Sequence, residues 1–264
     1  MESSRHAFTD VDRQEQPEQW VRVLDALADE PFYAGYQARV RELLYPVAGQ
    51  RYVEIGAGTG ASAARLIKEH HVEVATVDSA RTMTDAQRVR GLRHPVNADA
   101  HSIPFRDDAF AGASADRTVQ HLADPGRCID EMVRVTRPGG WVVLADPDYS
   151  TQTLSIADQT LAAAVLAYRA SHIRNGRLPH RHAPMLAQRG LQNIVVETRT
   201  ATVRNLEAFD HVWGLRTWAG PAARAGFTDR DRTAEFQRQI DEVAAAGAFT
   251  YTVTFFLTAA QVPG

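Results

Sequence analysis

The residues best placed to do chemistry in this chain are Glu54, the glycines at 56, 58 and 60, Asp78, Asp99 and, further on, His121 and Asp146. Val53 and Ile55 read as one side of a buried strand, and residues 61–69 read as a helix. Between them Gly56, Gly58 and Gly60 make a turn where a ligand can approach the backbone closely, at the helix N-terminus. Strand, glycine turn and helix together hold a nucleotide-like ligand at the carboxyl edge of a parallel sheet. The spacing is Gly-x-Gly-x-Gly, unlike the Gly-x-Gly-x-x-Gly of dinucleotide sites. Asp78 closes a second strand eighteen residues past Gly60, where a carboxylate can accept hydrogen bonds from both hydroxyls of a ribose. Each feature also has a plainer use: the glycines as a tight turn, the acid as a solvated strand cap.

Elements must bring these residues together, and the pattern along the chain supplies them. Strands are expected at residues 52–55, 72–77, 96–99, 110–115 and 141–145. Helices are expected at 61–69, 82–90 and 125–136, the last with Pro125 in its first turn and Pro138-Gly139-Gly140 after its end. Such alternation implies parallel strands joined by right-handed helical crossovers. Before this core, Pro17 opens a helix with Trp20, Val23, Leu24 and Leu27 on one face, and a second helix covers 36–44. The first fifteen or so residues are polar and are expected to be mobile. After Asp146 come a long helix at 156–173, a short one at 182–189, an alternating strand at 193–203, a mainly helical stretch at 205–246 broken at Gly214, Gly220 and Pro221, and a last strand at 249–257. Alternating strands of this kind belong at a sheet edge or in an antiparallel pair.

Composition narrows the function. With 29 basic and 32 acidic residues the formal net charge is −3, which leaves no basic footprint for nucleic acid. Cys128 is the only cysteine, so no internal disulfide forms; it falls inside a helix and reads as packing. No apolar run reaches the roughly 20 residues of a membrane helix, and the polar start carries no signal peptide. The expectation is a cytoplasmic protein without membrane or nucleic-acid partners, as a monomer or homodimer.

Glu54 followed by Gly56-Ala57-Gly58-Thr59-Gly60 resembles motif I of the class I S-adenosylmethionine-dependent methyltransferases. Three more stretches match that family in order: Asp78 at the second strand end, residues 99–110 with Ile103-Pro104-Phe105, and Arg137-Pro138-Gly139-Gly140 before an apolar strand. The resemblance covers the middle third strongly and points to the small-molecule branch, with its ubiquinone/menaquinone-type and bacterial natural-product enzymes. It implies an α/β, Rossmann-like, seven-stranded and mostly parallel sheet with an antiparallel last strand. Helices cover both faces, and helical lid insertions follow strands five and six. The chain would then be one domain: N-terminal helices at 1–48, a cofactor core at 49–146, and lid segments at 147–179 and 205–247. The cofactor would be S-adenosyl-L-methionine, released as S-adenosyl-L-homocysteine. It would be held by Glu54, Gly56, Ala57, Gly58, Gly60, Asp78, Ser79, Asp99, Ala100, Arg117 and Gln120. In the family an acid at Asp99 takes the adenine amino group, and the amide of Ala100 meets the ring.

The Asn/Asp-Pro-Pro-Tyr/Phe motif of base and amide methylation is absent after the fourth strand, where the chain reads Asp116-Arg117-Thr118-Val119-Gln120-His121. His121 stands at the ligand edge of the sheet, and a neutral imidazole there can take the proton of an attacking hydroxyl. Asp146 can orient it or share the role. His121 can equally cap a turn. Tyr33 and Tyr36 can cover the methionine tail or simply pack. His180, Arg181 and His182, with His172 nearby, read as surface or pocket rim, with no metal-ligand spacing. Trp213, Trp218, Phe209 and Phe227 suit a ring-bearing or apolar acceptor, or serve as core. Methyl transfer to a small metabolite, oxygen first, is the leading reading. A cyclase of the same fold that holds the cofactor without spending its methyl group is the alternative.

Overall fold

The computed structural model describes residues 11–264. A helical start, α1 (Pro17–Asp29) and α2 (Pro31–Glu42), precedes the alternation β1 (Arg51–Ile55), α3 (Ala61–His70), β2 (Glu73–Asp78), α4 (Arg81–Val89), β3 (His94–Asn97), β4 (Phe110–Asp116), α5 (Pro125–Val135) and β5 (Thr136–Leu154). There follow α6 (Gln159–Ser171), α7 (His182–Ala187), β6 (Gln192–Val203), α8 (Leu206–Trp213), α9 (Ala219–Arg224), α10 (Arg232–Ala245) and β7 (Tyr251–Gln261). The seven strands form one sheet in the order β3-β2-β1-β4-β5-β7-β6. The pairs β1–β2, β1–β4, β2–β3 and β4–β5 are parallel. Between β5 and β7 the bonds Gly139 N to Val262 O and Ser155 N to Thr250 O run in opposite senses along the two strands, so β7 is antiparallel. The mostly parallel, Rossmann-like sheet with an antiparallel last strand is therefore as expected. The order reverses between β1 and β4, and the carboxyl ends of those strands make the switch point where open α/β sheets bind ligands.

By internal packing the chain divides into two compact units: Met1–Asp146 with Pro179–Glu197 and Phe256–Gly264, and Pro147–Leu178 with Thr198–Phe255. In the first, the sheet is sealed by wholly buried Val53, Ile55, Ala113, Ala115 and Val142 through Ala145, with Cys128, Ile129 and Met132 of α5 against it. Cys128 is thus a packing residue, and burial pushes its thiol up to about 12. The second unit has its own core, with Leu161, Val165, Phe236 and Ile240 buried. No helix among the described residues is long and apolar enough to cross a membrane.

Several boundaries differ from the sequence expectation, each for a local reason. Helix α2 begins at Pro31 rather than 36, because the Glu30 carboxylate accepts from the Phe32 and Tyr33 amides and Pro31 fits the first turn. Strand β3 stops at Asn97, whose side-chain amide donates to the carbonyls of Asp78 and Ser79 and turns the chain. Strand β5 starts at Thr136 and continues past Asp146 to Leu154. Its second half is held by threonines, with Thr153 bonded to Thr252 at 2.6 Å and Thr254 N to Thr151 Oγ1 at 2.9 Å. Pro147–Leu178 and Thr198–Phe255 therefore hold strand ends as well as helices. Gly220 and Pro221 sit in the first turn of α9 and do not break a helix. Of the expected mobile start, residues 1–10 lie outside the described residues. Val11–Arg13, however, form a 3-10 turn with Val11 buried, and Asp12 caps α4 by accepting from the Arg81 and Thr82 amides.

Gly56 shows how tightly the switch point is packed. Its φ is +66°, and a Cβ there would lie 2.2 Å from Thr118 Oγ1. Gly56→Ala is expected to lower stability by about 2–4 kcal/mol, from backbone strain and overpacking together. At Gly91, with φ +88° and open space, alanine should cost only about 1 kcal/mol. Thermal melts of the two variants beside Gly56→Ala/Thr118→Ala, which should recover part of the loss, check this.

Candidate active site

Strand β1 delivers Glu54 and then the glycine turn; β2 delivers Asp78; β4 delivers Asp116 and Arg117. The turn is braced from beneath. Gln87 of α4 donates to Gly58 O at 2.7 Å and accepts from Thr76 Oγ1, and a Cβ at Gly60 would meet Leu92 at 2.4 Å and Gln87 at 3.0 Å. At Gly58 the nearest such neighbour is Leu24 of α1 at 3.4 Å, so φ +53° rather than crowding explains glycine there. The turn's amides are largely spent on protein: Gly56 N and Ala57 N donate to Val77 O, Gly60 N to Ala57 O, and Gly58 N to Asp78 Oδ2 at 2.8 Å. Such a loop lets a ligand lie on it but offers few donors to a pyrophosphate. Gly56, Ala57, Gly58, Gly60 and Asp78 are thereby brought together as the motif requires.

Helix α1 closes over the turn. Asp25 accepts from Thr59 Oγ1 and from Arg90, while Arg90 Nε donates to Thr59 O at 2.9 Å. Trp20, Val21 and Leu24 pack on Val11, Ala80 and Met83. The first helix thus belongs to the wall of the site.

A buried carboxyl, Glu54, and a half-buried one, Asp116, lie at the switch point. Glu54 is pushed up to about 8, first by burial and then by the charge of Asp116, with Arg41 and a hydrogen bond from Ser62 opposing. Asp116 accepts from Tyr36 OH at 3.0 Å and from Gln37 Nε2 at 2.8 Å, both on α2. Arg41, the nearest helix cation, is committed to Glu69 at 2.8 Å. Burial raises the Tyr36 phenol well above its ordinary value, so it serves as a donor to Asp116. Asp116 and Gln37 were not singled out from the sequence, and the signal was faint: one acid ending an Ala- and Gly-rich strand, one glutamine in a helix 79 residues away. Arg117 follows in the left-handed region at φ +50°, unusual for a side chain of its size, with its guanidinium 5.0 Å from the Tyr33 ring centre. Tyr33 and Tyr36 therefore flank this corner, their ring centres 5.8 Å apart.

Asp78 is pushed up to about 6 by burial, with the amides of Ala80 and Gly58 opposing. Ser79 follows it and accepts from Asn97 through its carbonyl. Asp99 and Ala100 sit on the turn after β3, not on the strand. The Asp99 side chain is 69% exposed, and its Oδ1 accepts from both the amide and Nδ1 of His101.

His121 is the last residue of a 3-10 turn, Val119–His121, and is half-buried. Gln120, buried, places Nε2 3.1 Å from His121 Nε2 and 3.5 Å from Arg117 O. Asp146 departs from expectation in place: it lies mid-strand and wholly buried, not at a strand end. Its Oδ2 is 3.6 Å from Nε2 of His182, which is also wholly buried and so is neither surface nor rim. Burial, reinforced by the charge of Asp116, raises the Asp146 carboxyl well above its usual range, and neither oxygen has a hydrogen bond of normal geometry. Among the described residues no group of three or more His, Cys, Asp or Glu is placed to hold a metal ion.

Asp116 Oδ2 also lies 3.7 Å from Arg117 Nε, so Glu54 and Asp116 share this corner with a cation.

Residues 53–144 match the model of a methyltransferase domain family. A 37.1 kDa protein of unassigned function in transposon TN4556 of Streptomyces fradiae is 29% identical over 91% of this chain and 71% of its own length. A demethylmenaquinone methyltransferase of Clavibacter sepedonicus is 34% identical over 38% of this chain and 42% of its own length. An O-methyltransferase of Aspergillus nomiae, rstn1, is 30% identical over 40% of this chain and 51% of its own. The chain thus spans about half the length of these named methyltransferases. Among solved structures, phosphoethanolamine N-methyltransferase 2 of Haemonchus contortus with S-adenosyl-L-methionine aligns at TM-score 0.61 and 16% identity, over 97% of this chain and 60% of that one. The [4+2]-cyclase SpnF aligns at TM-score 0.51 and 19% identity, over 86% and 80%. These two show the shared fold.

Proposed function

We propose, from the match of residues 53–144 to a methyltransferase domain family, that the chain is a class I S-adenosylmethionine-dependent methyltransferase and that it methylates a hydroxyl oxygen of a small secondary metabolite. The observation that carries the reading is the switch-point cluster, in which Asp78 accepts from the Gly58 amide of the glycine turn and the buried Glu54 stands near the end of β1, just before that turn. The likeness to an O-methyltransferase supports oxygen as the acceptor.

Asp78 would hold the ribose, Gly56 through Gly60 would floor the site, and Glu54, Asp116 and Tyr33 would surround the charged tail. Asp99 and Ala100 would meet the adenine, which requires Asp99 to share or exchange its bond to His101. The bound cofactor supplies a methyl group on a positively charged sulfur, and the leaving group is neutral S-adenosyl-L-homocysteine. His121 takes the proton released as the acceptor oxygen bonds to the methyl carbon. The backbone of residues 117–121 fixes the position of that imidazole, since Arg117 N donates to Ala145 O and His121 N to Thr118 O. Most of the acceleration would come from alignment and exclusion of water, as expected for an in-line displacement.

Calorimetric titration of the whole chain with S-adenosylmethionine, S-adenosylhomocysteine and NADH tests the cofactor. Micromolar binding of the first two and none of the third is expected. Accumulation of S-adenosylhomocysteine with an acceptor present tests transfer. Binding with turnover of an acceptor but no S-adenosylhomocysteine would favour a cyclase.

A further inference from the structure

In the unit formed by Pro147–Leu178 and Thr198–Phe255, positive charge collects without a carboxylate to meet it. Residues 159–178 contain Arg169, Arg174, Arg177 and His172 but no Asp or Glu. Four of the unit's acids are engaged elsewhere: Glu207, Asp210 and Asp241 all hold Arg216, and Asp158 holds Arg232. Among the described residues, Arg169 touches no carboxylate. Its guanidinium lies 5.0 Å from the Trp218 ring centre and 5.8 Å from that of Trp213. Packed on indole faces, a guanidinium keeps its N–H edge for a planar anion.

One turn along the same helix, His172 Nδ1 lies 2.8 Å from Tyr168 O. A carbonyl only accepts, so Nδ1 carries the proton and Nε2 is left as an acceptor. Nε2 is buried and has no hydrogen-bond partner among the described residues. A buried acceptor without a donor asks for one from a ligand. Around it stand rings: Tyr168 is 4.0 Å from His172 and 5.6 Å from Phe227, which is 40% exposed.

We propose that Arg169, His172 and the aromatics Tyr168, Trp213, Trp218 and Phe227 form a binding subsite for a hydroxylated aromatic carboxylic acid. Arg169 takes the carboxylate, the rings stack on the arene, and His172 Nε2 accepts from a ring hydroxyl. The binding chemistry stands on these residues and goes beyond the methyltransferase reading.

The probes are 4-hydroxybenzoate, methyl 4-hydroxybenzoate and benzoate, titrated calorimetrically into the whole chain with and without S-adenosylmethionine. The hydroxy acid should bind about tenfold or more tighter than its ester, the worth of one charge-assisted pair. Arg169→Leu should erase that preference and Arg169→Lys keep part of it. His172→Phe should erase the preference over benzoate. S-adenosylmethionine affinity should stay within about twofold throughout, since none of the substituted residues belongs to the proposed cofactor-binding set. Equal binding of acid and ester by the wild type, an undiminished preference in a folded Arg169→Leu chain, or no binding of any probe while cofactor binding is intact would each overturn the proposal. Loss of cofactor binding in the wild type would instead strike the methyltransferase reading and leave the acid preference to be judged by itself.

Discussion

Asp78→Ala is expected to weaken S-adenosylmethionine binding by about 100-fold, seen as loss of a calorimetric signal at micromolar protein. Two hydrogen bonds from ribose hydroxyls to one carboxylate, at about 1.5 kcal/mol each, make about 3 kcal/mol, and 1.4 kcal/mol is a factor of ten. The same carboxylate accepts from Gly58 N and Ala80 N, so its loss also frees the glycine turn from β2. Asp78→Asn, which keeps one acceptor and the shape, should lie between. The pH dependence has a definite sign. Ribose hydroxyls donate to the ionised form, and burial has pushed this acid up to about 6, so wild-type affinity should fall as the pH drops below about 6. In the free protein the linkage runs the other way. An acid whose folded value exceeds its ordinary value of 3.8 lowers stability progressively as pH rises between those two values, and fully above about 6. Titrations at pH 5 and 7.5 of wild type and Asp78→Ala separate the two: only the wild type should lose affinity at the lower pH. An alanine variant that binds as well as wild type would remove Asp78 from the cofactor site.

His121→Ala should lower turnover by about 100- to 1,000-fold while leaving cofactor affinity unchanged, the usual range for a positioned general base. The acidic limb of the rate profile should vanish with it, since only the neutral imidazole can take a proton. Gln120 gives this prediction a finer test. Its Nε2 faces both Arg117 O and His121 Nε2, and a carbonyl oxygen calls for the amide nitrogen on that side. His121 Nε2 is then the acceptor, and a substrate hydroxyl must take the place of Gln120. Gln120→Ala should therefore cost far less than His121→Ala. A drop of less than about fivefold in His121→Ala would assign the residue to the turn rather than to proton transfer.

The part of the site that runs from Glu54 to Asp78 was legible before any coordinates. A strand pattern, three glycines at alternate positions and an acid at a strand end are decided by residues a few places apart, through turn chemistry and periodicity. The seven-stranded, mostly parallel sheet with its antiparallel last strand followed from the family resemblance, whereas the strand order came from the structure. The first helix opened where Pro17 placed it, and the second began early only because the capping role of Glu30 went unread.

Sequence by itself determined the glycine turn and the alternation of strands and helices, because each is a property of neighbouring residues. Tertiary structure alone decided that Tyr36 and Gln37 hold Asp116 from about 80 positions away, that Asp146 runs on in a long strand against His182, and that Arg169 lies by two indoles rather than a carboxylate. The physical reason is that a buried charge is governed by whatever the fold brings within a few ångströms, and the pattern along a chain does not record those distances.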